Sequence, residues 1–143
     1  MKRILVLNGP NINLTGEREP GVYGHRTLDD INRMIADYAE KIGLSCEFFQ
    51  SNFEGELIGK IHSVMADYDG CIINAGALTH YSYAIRDAIS AVKKPFIEVH
   101  MSNIHAREEF RRKTVIAEVC AGHIAGFGQG SYVLALTALK TLI

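Results

Sequence analysis

The sequence predicts an α/β fold with a parallel sheet, because two hydrophobic patterns alternate along the chain. Short apolar runs at residues 4–7, 45–50, 71–73, 96–100 and 124–127 are separated by segments whose apolar residues recur at helical spacing. Such alternation forms βαβ units with right-handed crossovers. The 143 residues therefore predict one domain, residues 1–143, with a doubly wound, flavodoxin-like, five-stranded parallel sheet of order 2-1-3-4-5 and helices on both faces.

The ends of the predicted elements carry recognisable signals. The apolar run at residues 4–7 stops at Asn-Gly-Pro, which is typical of a strand covered on both faces. Thr27 and Asp30 resemble a capping box, and Gly43 ends the helix that they begin. Asn52 is the predicted N-cap of a second helix. Further helices are predicted at residues 82–92 and 132–142, with a short charged helical stretch around residues 107–113.

Composition and charge exclude several classes of partner. Fifteen basic and sixteen acidic residues give a formal charge of -1, so neither nucleic acid nor an anionic membrane is an expected partner. The amino-terminal apolar run is too short for a signal sequence, and no stretch is long enough to span a membrane, so a cytoplasmic location is expected. Cys46, Cys71 and Cys120 lie far apart among apolar neighbours, which predicts reduced thiols that pack as small hydrophobes.

Polar residues gather where the predicted strands end. Ligands of doubly wound sheets bind outside the carboxyl ends of the strands. The long polar segment at residues 8–26 also points there, because connections of that length usually bind something or close over it. The candidate residues that follow strands one, three and four are Asn8, Asn11, Arg18, Tyr23, Asn74, Thr79, His80, Glu98, His100, Ser102, Asn103, His105, Arg107 and Arg111. These amides, imidazoles and guanidinium groups suit an anionic ligand that bears hydroxyl groups.

Glu98 and His100 are two residues apart on a strand, so their side chains share a face. A carboxylate beside an imidazole raises its basicity and fixes its orientation, as a general acid for a leaving hydroxyl requires. The alternative is a structural ion pair at the edge of a sheet. Their position at the end of a buried, mainly apolar strand favours function.

Two further pairs of residues can each be interpreted either as part of a functional site or as ordinary surface structure. Arg107 and Arg111 would share a face of a helix and could hold an anion, but their spacing alone favours an ordinary solvated helix in which Glu108 pairs with an arginine. Tyr23 could act as a base if Arg18 lowers the pKa of its phenol. The alternative is a surface tyrosine in a loop.

Other features give weaker signals. Residues 126–131, with three glycines and a serine before the last helix, could cradle a phosphate, which leaves a non-catalytic nucleotide- or phosphate-binding module as a second hypothesis. A plain strand-to-helix turn explains them better. Lys93 and Lys94 lie before strand four, at the wrong edge for a Schiff base. No metal site is expected, since the remaining histidines share no metal-ligand spacing: His25, His62, His105 and His123.

Three long motifs resemble one known family. The segments LNGPNINL at residues 7–14 and GEREPGVYG at residues 16–24 are similar to the amino-terminal signature of type II 3-dehydroquinate dehydratases. IINAGALTH at residues 72–80 and FIEVHMSNIHAREEFR at residues 96–111 resemble two further motifs of that family, in the same order and spacing. The resemblance implies a flavodoxin-like fold and anti elimination of water from 3-dehydroquinate, in biosynthesis of aromatic amino acids or in quinate catabolism, with neither cofactor nor metal.

The resemblance also implies roles for the reacting groups. Tyr23 matches the residue that removes a proton from C2 of the substrate, and Arg18 keeps it partly ionised. Asn11 matches the residue that positions a water against the developing enolate oxygen. His100 matches the acid that protonates the departing C1 hydroxyl, with Glu98 as its orienting partner.

The substrate-holding groups and the assembly follow from the same resemblance. Asp87 matches a residue donated to the site of a neighbouring subunit, so a homo-oligomer, a dodecamer built from trimers, is implied. Ala75, Leu78 and Glu109 depart from the residues common in the family and leave the shape of the binding loops open. The residues matching groups that hold the substrate are Asn74, His80, Ser102, the Met101 backbone amide and Arg111, with Arg107 in the same basic cluster.

Overall fold

A computed structural model describes residues 1–17 and 26–143 and confirms the predicted sheet. All strand pairs are parallel, and the strand order is 2-1-3-4-5. The five strands are β1 (Lys2–Asn8), β2 (Leu44–Gln50), β3 (Gly70–Asn74), β4 (Phe96–His100) and β5 (Gly122–Ala125). The strand order therefore reverses at β1 and β3, whose carboxyl ends Asn8 and Asn74 are register partners.

Four α-helices cover the two faces of the sheet: α1 (Leu28–Lys41), α2 (Glu54–Asp67), α3 (Tyr83–Val92) and α4 (Gly130–Lys140). Alternate residues of the central strands face opposite sides, so the sheet separates two cores. Helices α2 and α3 pack on one face, and α1 and α4 on the other. No helix in the described ranges has the length and apolarity that a membrane crossing demands.

The helix ends confirm one predicted cap and contradict another. Thr27 and Asp30 form a complete capping box at the start of α1. Asn52 does not cap α2: Phe53 occupies the N-cap position and makes no side-chain cap hydrogen bond. The Asn52 side-chain oxygen instead accepts a hydrogen bond of 2.9 Å from the Asn11 backbone N–H. The polar side chain thus supports the loop after β1 rather than a helix.

Two elements near the carboxyl end differ in their bounds from the predicted ones. Strand β5 spans Gly122–Ala125, whereas residues 124–127 were predicted. It ends at Ala125 because Gly126, at φ 102, turns the chain out of the sheet. The helical stretch predicted around residues 107–113 is wrong in its first part. Arg107 has an extended backbone, and only a short 3₁₀ turn, Glu109–Arg112, follows it.

The three cysteines are free thiols, as predicted. Burial raises the pKa of Cys46 and Cys120 to about 12 and that of Cys71 well above its ordinary value. Because the thiolate is the reactive form, these side chains serve packing rather than chemistry.

Candidate active site

A pocket opens at the carboxyl edge of the sheet, between the loops that follow β1, β3 and β4. This is the edge at which the sequence predicted the site. Backbone from two of these loops meets closely: a methyl group added at Gly9 would lie 2.5 Å from the carbonyl oxygen of Ala75. The predicted residues that line the pocket are Asn11, Asn74, His80, His100, Met101, Ser102, Arg107 and Arg111.

His100 lines the pocket, and Glu98 lies behind it with no solvent exposure. The Nε2 atom of His100 is 2.5 Å from Oε2 of Glu98, and an ionised carboxylate can only accept, so the imidazole N–H donates. Two threonine hydroxyls also donate to this carboxylate, Thr79 at 2.5 Å to Oε2 and Thr114 at 3.0 Å to Oε1. The carboxylate is thereby fixed, and it fixes the imidazole.

Glu98 stays ionised although it is buried. Burial alone would raise the pKa of this carboxyl, but the hydrogen bond and charge of His100, the hydroxyl of Thr79 and the charge of His123 outweigh it and lower the pKa. The Nδ1 atom of His100 has no partner among the described residues and is available to a ligand. The pair therefore combines a fixed carboxylate with an imidazole that a ligand can reach, which is the arrangement that general acid catalysis requires.

His80 forms a second imidazole wall of the pocket. Its Nδ1–H donates a hydrogen bond of 2.7 Å to the carbonyl oxygen of Lys113, which leaves Nε2 as an acceptor. Its ring is nearly parallel to that of His100, with centroids 6.4 Å apart. Burial lowers the pKa of His80, so this ring favours its neutral form and suits binding of a hydroxyl group.

Two arginines make one end of the pocket electropositive. The side chains of Arg107 and Arg111 are only 14% and 17% exposed. Arg107 donates to the Ser102 hydroxyl at 3.2 Å, and Arg111 donates to Glu108 at 3.1 Å. The predicted Glu108 pair is therefore present, but the solvated helix is not. Mostly buried guanidinium groups in a pocket wall are suited to bind a carboxylate.

Asn11 and Asn74 enter the pocket from the switch in strand order. Asn11 has a left-handed backbone (φ 68), a conformation that asparagine adopts more readily than most residues. Asn74 accepts a hydrogen bond from the Gly76 N–H at 3.2 Å and donates to the Tyr132 hydroxyl at 2.9 Å. Tyr132, fully buried in α4, in turn donates to Asn8 at 2.6 Å. The closing helix thus sets the orientation of the Asn74 amide.

Arg18 and Tyr23 lie outside the described residues. Asp87 is exposed on α3 and does not line the pocket of its own chain. The sequence analysis did not single out Thr114, whose only signal was a hydroxyl just beyond the arginine stretch. His123 was considered from the sequence only as a histidine without metal-ligand spacing, but its ring centroid is 5.6 Å from that of His100.

The glycine-rich segment before α4 behaves as a turn. The buried Ser131 hydroxyl accepts a hydrogen bond of 3.1 Å from the Phe127 N–H, and the Ser131 N–H donates to Gly128. These groups are used within the turn itself, so the interpretation as a strand-to-helix turn is favoured over a phosphate cradle. Lys94 lies before β4, and its ammonium group donates to the carbonyl of Tyr68 at 2.6 Å.

The fold and the pocket define a flavodoxin-like α/β protein whose carboxyl edge combines a buried carboxylate–imidazole pair with two mostly buried arginines. Residues 2–140 match the family model described as dehydroquinase class II. The chain therefore belongs to the class II dehydroquinase family.

Curated relatives and solved structures agree with this assignment. The chain is 58% identical over 138 residues to a 3-dehydroquinate dehydratase of Thermotoga neapolitana, covering 96% of this chain and 94% of the relative. It is 57% identical over 144 residues to one of Caldicellulosiruptor bescii, covering 100% and 99%. The crystal structure of a type II dehydroquinase from Butyrivibrio crossotus superposes with a TM-score of 0.95 at 45% identity and 97% coverage of both chains.

Proposed function

We propose that the protein catalyses anti elimination of water from 3-dehydroquinate to give 3-dehydroshikimate, in the pathway to aromatic amino acids or in quinate catabolism. The observation that carries the proposal is the buried Glu98–His100 pair, which opens into the same pocket as Arg107 and Arg111. In a chain of this family, His100 would supply the proton for the leaving hydroxyl of the substrate, and the two arginines would bind the substrate carboxylate in the same pocket.

The first half of the reaction removes a proton from carbon. The Tyr23 phenolate, kept partly ionised by Arg18, takes the proton from C2, and the electron pair moves onto the ketone oxygen as an enolate. Asn11 positions a water that hydrogen-bonds to this oxygen. Asn11 lines the pocket, and its position there is held by its left-handed backbone and by the hydrogen bond from its N–H to the Asn52 side chain. This fixed position supports the proposed role.

The second half of the reaction expels the hydroxyl group. The enolate collapses, the C1–O bond breaks, and the C1=C2 double bond forms while His100 gives its proton to the departing oxygen, which leaves as water. Glu98 stabilises the imidazolium before the transfer. Its anchoring by Thr79 and Thr114 supports this role, because a fixed carboxylate holds the imidazole at one orientation.

The substrate is held by the rest of the pocket. Arg111, with Arg107 beside it, binds the carboxylate, and Ser102 and the backbone amide of Met101 contribute hydrogen bonds at the same end. Asn74 and His80 bind the hydroxyl groups. The fixed orientation of both side chains supports this assignment, since each is held by a hydrogen bond to a rigid part of the fold.

We infer that one domain, residues 1–143, carries the activity and assembles as a dodecamer built from trimers, with Asp87 donated to the site of a neighbour. Asp87 is exposed and lies one turn after Tyr83, whose ring is 64% exposed. An exposed aromatic beside an exposed carboxylate suits a subunit contact. The cytoplasmic location expected from the sequence stays a prediction.

The test is an assay of the purified protein with 3-dehydroquinate and no additive, followed by the ultraviolet absorbance of the conjugated enone acid. Tyr23→Phe should lower kcat by at least about a hundredfold while substrate still binds, because only the proton acceptor is lost. Tyr38→Phe is the control, since that hydroxyl contacts Thr137 on the far side of the fold. Near-normal turnover of Tyr23→Phe would remove this tyrosine from the mechanism. ATP binding without dehydration would favour the nucleotide-binding module instead.

A further inference from the structure

The register of the last two strands brings a third ligand-forming side chain to the Glu98–His100 pair. Glu98 and His123 are register partners on the adjacent parallel strands β4 and β5. His100 lies two residues beyond Glu98 on the same face of β4. The three side chains therefore occupy the corners of a triangle, and one nitrogen or oxygen of each lies within 4.8 Å of the others.

The chemistry of these three groups suits a zinc-like cation. Two imidazoles and one carboxylate form a common protein ligand set for zinc, which leaves a fourth position for water or another ligand. Thr79 and Thr114 orient the carboxylate in the way that outer hydrogen bonds support metal ligands.

His123 has no other evident task in the fold. Its ring makes no hydrogen bond with any other residue in the described ranges, and it meets His100 edge to face at an interplanar angle of 89°. In the proposed elimination it contacts neither the substrate nor the transferred proton, and its charge only adds to the forces that keep Glu98 ionised.

We propose that Glu98, His100 and His123 bind a zinc-like divalent cation, and that its binding inhibits the enzyme. Inhibition rests on the proposed function, because the cation would replace the proton between His100 and Glu98 and remove the acid. The Nε2 atom of His100 and Oε2 of Glu98, which share this proton, are 2.5 Å apart. Two ligand atoms that each lie about 2.0–2.1 Å from a tetrahedral ion are about 3.4 Å apart, so these two atoms must separate by about 1 Å when the cation binds. The site therefore competes with the catalytic hydrogen bond and is a reversible inhibitory site.

The experiment uses zinc chloride as the probe and two independent measurements. Calorimetric titration without substrate measures binding, and dehydration of 3-dehydroquinate over a zinc series, with reversal by EDTA, measures inhibition. The variants are His123→Asn and, as a matched control, His62→Asn, which replaces an exposed histidine of α2. A cobalt titration followed by visible absorbance reports whether the bound ion is tetrahedral.

Wild type and His62→Asn should bind one zinc per chain and lose activity together with its binding. His123→Asn should bind zinc at least about tenfold more weakly and require at least about tenfold more zinc to halve its own zinc-free activity. Equal zinc affinity in both variants, or no binding to wild type, overturns the site. Binding that depends on His123 but leaves turnover unchanged overturns the inhibition. Because binding is measured without substrate, failure of the proposed function would not obscure the result.

Discussion

Replacement of Thr79 by valine removes a hydrogen bond that holds the buried carboxylate of Glu98, together with a longer contact of 3.3 Å between the Thr79 and Thr114 hydroxyls. Thr79 is fully buried, and its hydroxyl lies 2.5 Å from Oε2 of Glu98. Valine keeps the branched shape but cannot donate. Hydrogen bonds to charged groups contribute about 1.5–3 kcal/mol, so Thr79→Val should lower the free energy of unfolding by about 2 kcal/mol at pH 7. The backbone contact from Val115 to the Thr79 carbonyl is unaffected.

The pH dependence of this loss separates the carboxylate from ordinary packing. The pKa of Glu98 in the folded protein lies below its ordinary value of 4.5, so the ionised form contributes stability above that pH and loses it as pH falls through the folded pKa. The loss caused by Thr79→Val should therefore be fully present at pH 7 and shrink only as the pH falls toward and through the folded pKa, which lies below 4.5.

Urea unfolding at pH 7, 5 and 4 measures this effect. Thr141→Val is the control, because its exposed hydroxyl donates to a neutral carbonyl of the same helix at 2.7 Å. A loss below about 0.5 kcal/mol at pH 7, or a loss of the same size at every pH, would refute the argument that the Thr79 hydroxyl stabilises an ionised Glu98.

Two further substitutions test the acid and the shape of the pocket. His100→Ala should lower kcat by about 10²–10⁴ in the dehydration assay, because the proton donor is lost; a decrease below tenfold, with unfolding unchanged, would contradict that role. Gly9→Ala should cost about 1–3 kcal/mol in urea unfolding and raise KM, because its methyl would lie 2.5 Å from the Ala75 carbonyl oxygen. Gly55→Ala, where nothing lies within 4 Å, is its control, and equal behaviour of the two variants would remove the steric explanation.

The fold was predictable because its signals are local and repeated. Each buried strand is a short apolar run, and each intervening helix has its own apolar stripe, so the parallel sheet follows from their alternation. The boundary of β5 was missed because the apolar pattern continues past Ala125. The chain leaves the sheet at Gly126, whose positive φ is a backbone property that hydrophobicity does not report.

The site was predictable in position but not in its internal contacts. Parallel strands bring their carboxyl ends to one edge, which is sufficient to gather residues from three loops. Which partner each side chain finds there depends on register and loop shape. Thr114 reaches Glu98 from an irregular segment, and Arg107 reaches Ser102 from extended backbone where a helix was predicted. Spacing rules that assume regular structure cannot find such contacts.

The hydroxyl of Tyr132 links the last helix to two strands that lie far earlier in the chain. Truncation or interruption of α4 would therefore disturb the orientation of Asn74, a proposed substrate-binding residue that lies 58 residues before Tyr132 in the chain. Purification tags and immobilisation linkers are better placed outside α4, where they leave this anchor intact.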